Sequence, residues 1–178
     1  LEAIPEEGAA VLVCNHVTTV DALILAGAVQ RPIRFIMYKP IYDIPVLHFV
    51  LRAGGAIPIQ GEREDAGVHD EAFNAIRAGL QAGDLLAIFP EGALTRDGEV
   101  AQFRKGIERI VSETPVPVVP MALKGLWGSF FSHSGGLFRN PSRVWSRVKV
   151  CAGKPVPADG VSAAGLWQAV SQLRRDAA

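Results

Sequence analysis

A histidine and an aspartate five positions apart, His16 and Asp21, are the residues of this chain best suited to proton chemistry. They follow a short apolar run at residues 9–14 and stand before a second apolar run at residues 22–29. A neutral imidazole accepts a proton near pH 7, and a neighbouring carboxylate can orient the ring and stabilise its cation. The spacing therefore indicates a general base held where a strand gives way to a helix.

The same aspartate also has a purely structural interpretation. Thr18 and Asp21 stand three apart, as in a capping box, and His16 would then be an ordinary loop histidine. The two interpretations are compatible because a carboxylate in the first turn of a helix stays ionised near the positive end of the helix dipole. It can accept a hydrogen bond from one ring nitrogen of His16 and leave the other as a base, as in a Ser-His-Asp site without the serine.

A second candidate segment, Phe-Pro-Glu-Gly, contains Glu91 and Gly92 and is followed by Arg96. Open α/β sheets bind ligands beyond the carboxyl ends of their strands, and both His16 and Glu91 follow apolar runs of strand type. A carboxylate and an arginine in one loop can hold a polar head group, since a guanidinium binds phosphate through two parallel hydrogen bonds. A solvent-exposed turn is the alternative interpretation.

Apolar runs alternate with helical periodicities along the 178 residues. The predicted strands cover residues 9–14, 33–37, 56–59, 85–89, 116–123 and 144–151. The predicted helices run from Thr18 or Thr19 to about residue 30, and over residues 42–52, 68–82, 104–113 and 162–175. Pro58 predicts that its strand lies at a sheet edge. This order predicts one α/β domain with a mostly parallel, mixed sheet of about six or seven strands flanked by helices.

Composition limits the class of protein. Lysine plus arginine and aspartate plus glutamate number 18 each, so the formal net charge is zero and nucleic acid is not an expected partner. Apolar residues make up 49%, which predicts either a large core or a surface that faces lipid. No run approaches the roughly 18 apolar residues of a spanning helix. Cys14 and Cys151 are expected to be buried free thiols, and neither they nor the four histidines have the spacing of a metal site.

Four segments of residues 1–124 carry a resemblance to a known family. They read His-x4-Asp, Gly-Ala-Ile-Pro-Ile, Phe-Pro-Glu-Gly and Val-Pro-Val-Val-Pro-Met, in that order. The chain in this respect resembles the glycerophospholipid acyltransferases, which include the 1-acylglycerol-3-phosphate acyltransferases. Residues 122–132 resemble the acyltransferase domain of bacterial 2-acylglycerophosphoethanolamine acyltransferases, which is often fused to a transporter or an acyl-carrier-protein ligase. We therefore expect residues 1–178 to be one acyltransferase domain, cut from a longer multidomain chain.

The resemblance implies an activity and roles for single residues. A fatty acyl group would pass from acyl-CoA or acyl-carrier protein to the hydroxyl of a lysophospholipid, with no bound cofactor. His16 matches the catalytic base, Asp21 its partner, and Glu91 and Gly92 the pair that helps to bind the acyl acceptor. No serine or cysteine nucleophile stands beside the histidine motif, which favours direct transfer over a covalent acyl-enzyme.

The chain departs from the family pattern at two arginines. The family follows Glu-Gly directly with Thr-Arg, whereas residues 93–94 intervene here, so Arg96 takes the arginine's place at a shifted position. The family also places an arginine where this chain has Gly61, and Arg63 is the nearby substitute. The absence of the family's arginine at position 61 favours, as the acyl acceptor, a lysophospholipid that carries a head group over one with a bare phosphomonoester.

A long Gly-, Ser- and Phe-rich segment at residues 124–142 is the predicted membrane contact. Its candidate residues are Trp127, Phe130, Phe131 and Phe138. The alternative is that these aromatics fold back into the core. The resemblance implies a bacterial protein on the cytoplasmic side of the inner membrane, either peripheral or as a domain of a membrane-bound fusion.

Three other functions are compatible with these residues. A hydrolase would use water where the lysophospholipid sits. A lipid-binding module would not use the His-Asp pair, and an acyltransferase of the same fold would act on a non-phosphate acceptor such as a lipid A precursor or a sugar.

Overall fold

The computed structural model describes residues 1–128 and 147–176. The strands in these ranges are β1 (Ala10–Cys14), β2 (Ile33–Tyr38), β3 (Ile57–Ile59), β4 (Leu85–Ile88), β5 (Val118–Lys124) and β6 (Lys149–Ala152). The α-helices there are α1 (Asp21–Ala28), α2 (Lys39–Tyr42), α3 (Pro45–Ala53), α4 (Ala66–Gln81), α5 (Gly106–Glu113) and α6 (Ala163–Asp176). They confirm the predicted α/β class.

The six described strands form one sheet in the order β3-β2-β4-β1-β5-β6. The first five are parallel, and β6 runs antiparallel to β5. Every residue of β1 is buried, because its continuously apolar sequence suits a strand that is covered on both faces. Since β1 and β4 are parallel neighbours, with Val13 opposite Ile88, the loops that carry His16 and Glu91 leave the same edge of the sheet.

Helices cover both faces of the sheet. Ile76 of α4, Ile107 of α5 and Leu166 of α6 belong to the core on one face, and Leu25 of α1 belongs to the core on the other. The predicted apolar stripe of α4 is buried, as its helical spacing requires. Pro58 lies in β3 at the edge of the sheet, as predicted.

Two predicted helices differ from those observed. Helix α1 begins at Asp21 with Val20 at its N-cap, not at Thr18 or Thr19, because the Thr18 hydroxyl donates to the Asp21 carboxylate instead of accepting from the helix. The helix predicted over residues 42–52 is α3, which begins only at Pro45 because Ile44 precedes a proline and is extended, and the short helix α2 before it was not predicted. Residues 129–146, which hold most of the predicted long loop, lie outside the described residues.

Helix α3 is amphipathic in sequence but has no buried residue. Val46, Phe49 and Val50 are 83%, 79% and 61% exposed. Within the described ranges no helix combines the length and hydropathy needed to cross a bilayer.

Candidate active site

The imidazole of His16 and the carboxylate of Asp21 are in direct contact. His16 Nδ1 lies 2.9 Å from Asp21 Oδ2, and Asp21 is fully buried while the His16 side chain is 21% exposed. In the neutral imidazole, Nδ1–H is the donor to the Asp21 carboxylate oxygen. Nε2 is then the unprotonated nitrogen, and it has no hydrogen-bond partner among the described residues. In this geometry Asp21 orients the imidazole through Nδ1, and Nε2 is the nitrogen that can accept a proton.

Asp21 is held by the loop that precedes it. Its Oδ2 accepts from the backbone N–H groups of Val17 and Thr18 at 2.6 and 2.9 Å, and its Oδ1 accepts from the Thr18 hydroxyl. These donors compensate the burial of the charge, as a buried carboxylate requires. Thr18 is therefore not the N-cap of a capping box, although the Asp21 carboxylate does accept from the Thr18 N–H and also contacts the His16 ring.

Asn15 fixes the end of β1 against β5. Its side-chain amide donates to the Leu123 carbonyl oxygen at 3.1 Å, and its Oδ1 accepts from the Leu123 N–H at 2.8 Å. The residue before His16 is therefore tied to both backbone groups of one residue on the neighbouring strand. This role of Asn15 was not predicted, although a polar residue at the end of a buried apolar run is a signal for it.

Glu91 holds the backbone of the histidine loop. Its Oε1 accepts from the His16 N–H at 2.6 Å and its Oε2 accepts from the Ala101 N–H at 2.7 Å. Glu91 is only 6% exposed, and this burial raises the pKa of its carboxyl above the ordinary value, although the two N–H donors act in the opposite direction. Both carboxylate oxygens are thus engaged by backbone groups.

Phe89 covers one face of the catalytic candidate. Its ring stacks on the imidazole of His16 with centroids 4.3 Å apart and an interplanar angle of 18°. Phe35 of β2 stacks in turn on Phe89 at 6.5 Å. Phe89 therefore restricts the imidazole at its ring face, whereas Asp21 holds it through Nδ1. Phe89 belongs to the Phe-Pro-Glu-Gly motif, but its contact with His16 was not predicted from the sequence.

The residues expected to bind the acceptor lie in two exposed loops. Gly92 is exposed with φ +70°, and Arg96 is exposed two residues after the inserted pair. The N–H of Thr95 donates to the His16 carbonyl oxygen at 3.0 Å, so the insertion leaves this threonine beside the histidine. Arg63 is exposed in the turn between β3 and α4. Neither Arg63 nor Arg96 has an ion pair with a described residue.

One of the predicted membrane residues is described. The indole of Trp127 is half-buried and lies against Gly98, where a Cβ would come within 2.7 Å of the ring. Phe130, Phe131 and Phe138 lie outside the described residues.

The two cysteines are free thiols. Cys14 is buried, and this burial raises the pKa of its thiol well above the ordinary value, with the Asp21 and Glu91 charges adding to the effect. A thiol of this kind is a poor nucleophile.

Together, the fold and these contacts define a single-sheet α/β protein with a carboxylate-held histidine at the carboxyl edge of its central strand. A family model described as Acyltransferase matches residues 1–124, and the chain belongs to this family. The resemblance inferred from the motifs is confirmed.

Several relatives carry the name of one activity within this family. The chain is 27% identical over 157 residues to the chloroplastic 1-acyl-sn-glycerol-3-phosphate acyltransferase LPAT1 of Arabidopsis thaliana, with 88% of this chain and 42% of the relative covered. It is 27% identical over 124 residues to the 1-acyl-sn-glycerol-3-phosphate acyltransferase of Borreliella burgdorferi, with 68% and 48% covered. The chain thus spans less than half the length of both relatives.

The crystal structure of the 1-acyl-sn-glycerophosphate acyltransferase PlsC from Thermotoga maritima has a similar fold. The TM-score is 0.73 at 23% sequence identity, and the match covers 96% of this chain and 67% of the other.

Proposed function

We propose that this chain transfers a fatty acyl group from an acyl thioester to the free hydroxyl of a lysophospholipid, with His16 as the general base and Asp21 as its orienting partner. The 2.9 Å contact between His16 Nδ1 and the buried carboxylate of Asp21 is the observation that carries the proposal. Family membership and the names of the relatives, which are 1-acyl-sn-glycerol-3-phosphate acyltransferases, support the substrate class.

In the proposed reaction, Nε2 of His16 takes the hydroxyl proton of the lysophospholipid while the oxygen attacks the thioester carbonyl carbon. Asp21 keeps the ring in one tautomer and stabilises the imidazolium. The new C–O bond forms, the C–S bond breaks, and the proton on Nε2 passes to the departing thiolate. A direct transfer is supported by the raised pKa of the Cys14 thiol, which makes the nearest cysteine a poor nucleophile.

Arg96 and Arg63 are the proposed contacts for the anionic part of the acceptor. Both are exposed, and neither guanidinium is paired with a described residue. Arg96 follows Thr95, which is bonded to the His16 backbone, and Arg63 follows β3 at the same edge of the sheet. The acceptor's phosphate would thereby be held near the oxygen that His16 deprotonates.

A lysophospholipid resides in a bilayer, so the protein must reach the membrane surface. We propose that it docks there through a surface formed by α2 and α3. We call its exposed apolar side chains the α2–α3 patch, which consists of Ile41, Ile44, Val46, Leu47, Phe49 and Val50. Contiguous exposed apolar side chains of this kind mark a surface that contacts lipid or protein. The patch follows β2, whose carboxyl end lies at the site's edge of the sheet, and α3 carries Arg52 but no acidic residue. An apolar surface with a cationic margin suits the headgroup region.

The activity is tested by incubating the purified protein with one acyl-CoA and a panel of lysophospholipids that differ in head group, with products analysed by mass spectrometry. We expect diacyl product from at least one acceptor, and about a thousandfold slower formation of it by His16→Ala. Release of free fatty acid without acylation of any acceptor would identify a hydrolase instead.

Docking is tested by flotation with anionic vesicles. Val46→Ser/Phe49→Ser should lower vesicle binding strongly, and Phe130→Ser/Phe131→Ser tests the loop predicted from sequence. Unchanged binding of the first variant would exclude the α2–α3 patch.

A further inference from the structure

A cavity lies next to the histidine loop, and the proposed function has so far given it no role. It has a volume of about 490 Å³ and lies at the carboxyl end of β5, between the segment that follows this strand and the C-terminal half of α6. Val17, the residue after His16, forms part of its wall. Small-molecule sites typically enclose about 300–1,000 Å³, so the size is that of a ligand site.

The walls of the cavity are aromatic and fixed. Trp127 and Trp167 both line it. Trp127 lies against Gly98, and the Trp167 indole N–H donates to the Val100 carbonyl oxygen at 2.9 Å. Their remaining ring faces provide an apolar surface for a thin, flexible ligand.

The polar groups of the cavity favour an anion. Lys124 has no ion-pair partner among the described residues, and the one described hydrogen bond of the Arg175 guanidinium goes to the neutral amide of Gln172 at 2.8 Å. Arg174 is paired at 3.1 Å with Glu99, the one carboxylate among the described lining residues, so these two charges offset each other. Within the described part of the chain, two cations at the cavity are therefore uncompensated.

Ser171 also lines the cavity, but its hydroxyl oxygen is buried and has no partner in the described part of the chain. The hydroxyl therefore offers a ligand in the cavity no hydrogen bond.

We infer that this cavity binds the phosphopantetheine part of the acyl thioester donor, with the thioester end toward Val17 and the phosphate toward Lys124 and Arg175. The inference rests on the proposed acyl transfer and names the donor's binding site. Phosphopantetheine combines a thin chain with two amides and a phosphate, which matches a cavity with indole walls and cations that are unpaired among the described residues. Acyl-CoA and acyl-carrier protein both carry this arm. In the sheet, β1 lies between β4 and β5. The Glu91 loop follows β4, whereas the cavity lies at the end of β5, so the two are on opposite sides of β1.

The first test measures binding without catalysis, by calorimetric titration with CoA. We expect Lys124→Gln/Arg175→Gln to weaken CoA binding about tenfold, the loss of one good charge-assisted contact. Lys154→Gln is the matched control, since Lys154 is exposed and follows β6 at the opposite edge of the sheet. Equal affinity in the double variant and the unaltered protein, or equal weakening by Lys154→Gln, would overturn the inference.

Kinetics separate this inference from the proposed function. We compare kcat/KM for an acyl-CoA with kcat/KM for the same acyl group on N-acetylcysteamine, which lacks the phosphate. The ratio should fall about tenfold in Lys124→Gln/Arg175→Gln. An unchanged ratio in an active protein overturns the cavity assignment alone, whereas CoA binding without transfer of any acyl group overturns the proposed function alone.

Acyl-carrier protein serves as a third donor. A similar fall with acyl-CoA and acyl-carrier protein supports recognition of their shared arm. A fall with the carrier protein only would overturn the inference, because the cations would then contact the carrier's own surface.

Discussion

The backbone N–H of His16 donates to Oε1 of Glu91 across 75 positions of sequence, at 2.6 Å. This bond joins the loop after β1 to the loop after β4. The other oxygen of Glu91 accepts from the Ala101 N–H, so one buried carboxylate fixes the two loops together. The imidazole of His16 is thus positioned through its backbone by Glu91, through its ring nitrogen by Asp21 and through its ring face by Phe89.

Substitution of the His-Asp pair tests the proposed base. His16→Ala should lower kcat about 10³-fold, the usual contribution of a general base, and leave the thermal melt nearly unchanged because the side chain is partly exposed. Asp21→Asn should lower kcat by a similar factor and also reduce stability by about 1–3 kcal/mol, since it disturbs a buried acceptor of four donors. A His16→Ala variant with near-normal turnover would refute the assignment of the base.

Glu91→Gln distinguishes positioning from binding of the acceptor. A glutamine keeps one acceptor oxygen but turns an N–H group toward a backbone N–H. If Glu91 positions His16, kcat should fall roughly 10- to 100-fold with little change in KM for the lysophospholipid. If Glu91 instead binds the acceptor, as the motif resemblance implies, KM should rise and kcat should change less. Steady-state kinetics with varied acceptor separate the two results.

The pH dependence of stability reports on the same carboxyl. Burial raises the pKa of Glu91 in the folded protein, so between the ordinary value of 4.5 and the raised value the folded state holds more protons at this site than the unfolded chain. The free energy of unfolding must therefore fall as the pH rises through that interval. Denaturant titrations from pH 4.5 upward should show a steeper fall for the unaltered protein than for Glu91→Gln. Equal slopes would mean that the pKa of Glu91 is not raised.

Phe89→Leu tests the ring stack. Leucine retains apolar bulk but not the flat face against the imidazole, and we expect kcat to fall roughly threefold to tenfold, in line with the energy of an aromatic pair. Phe35→Leu is the matched control, because Phe35 stacks on Phe89 rather than on His16. A larger loss of kcat in Phe35→Leu than in Phe89→Leu would contradict a direct effect of the stack.

Gly92→Ala tests the close approach at the second loop. Gly92 has φ +70°, and a Cβ there would come within 2.6 Å of Cζ of Arg104. Gly83→Ala has the same backbone problem, with φ +88°, but its Cβ would meet nothing within 4 Å. Each should cost about 1 kcal/mol for the left-handed backbone, and Gly92→Ala should cost more because Arg104 must move. Equal losses of unfolding free energy in the two variants, measured by denaturant titration, would show that the Arg104 side chain moves away at no cost.

Local sequence determined the main elements and the candidate pair. Apolar runs such as that of β1 predict a strand buried on both faces, and the spacing of Ala72, Ile76 and Leu80 predicts the buried stripe of α4. His16 and Asp21 are five residues apart, so a single loop and helix start bring them together. The starts of α1 and α3 were less predictable, because capping contacts and a proline decide them residue by residue.

Contacts between distant segments were decided only by the tertiary structure. The order of strands places β4 and β5 on either side of β1, and this order brings Glu91 to the backbone of His16, Phe89 to its ring and Leu123 to Asn15. No periodicity in the sequence encodes which strands become neighbours, because that depends on how all the apolar faces pack at once. The sequence alone therefore gave the histidine and its carboxylate, whereas the packing of the sheet decided what holds them in place.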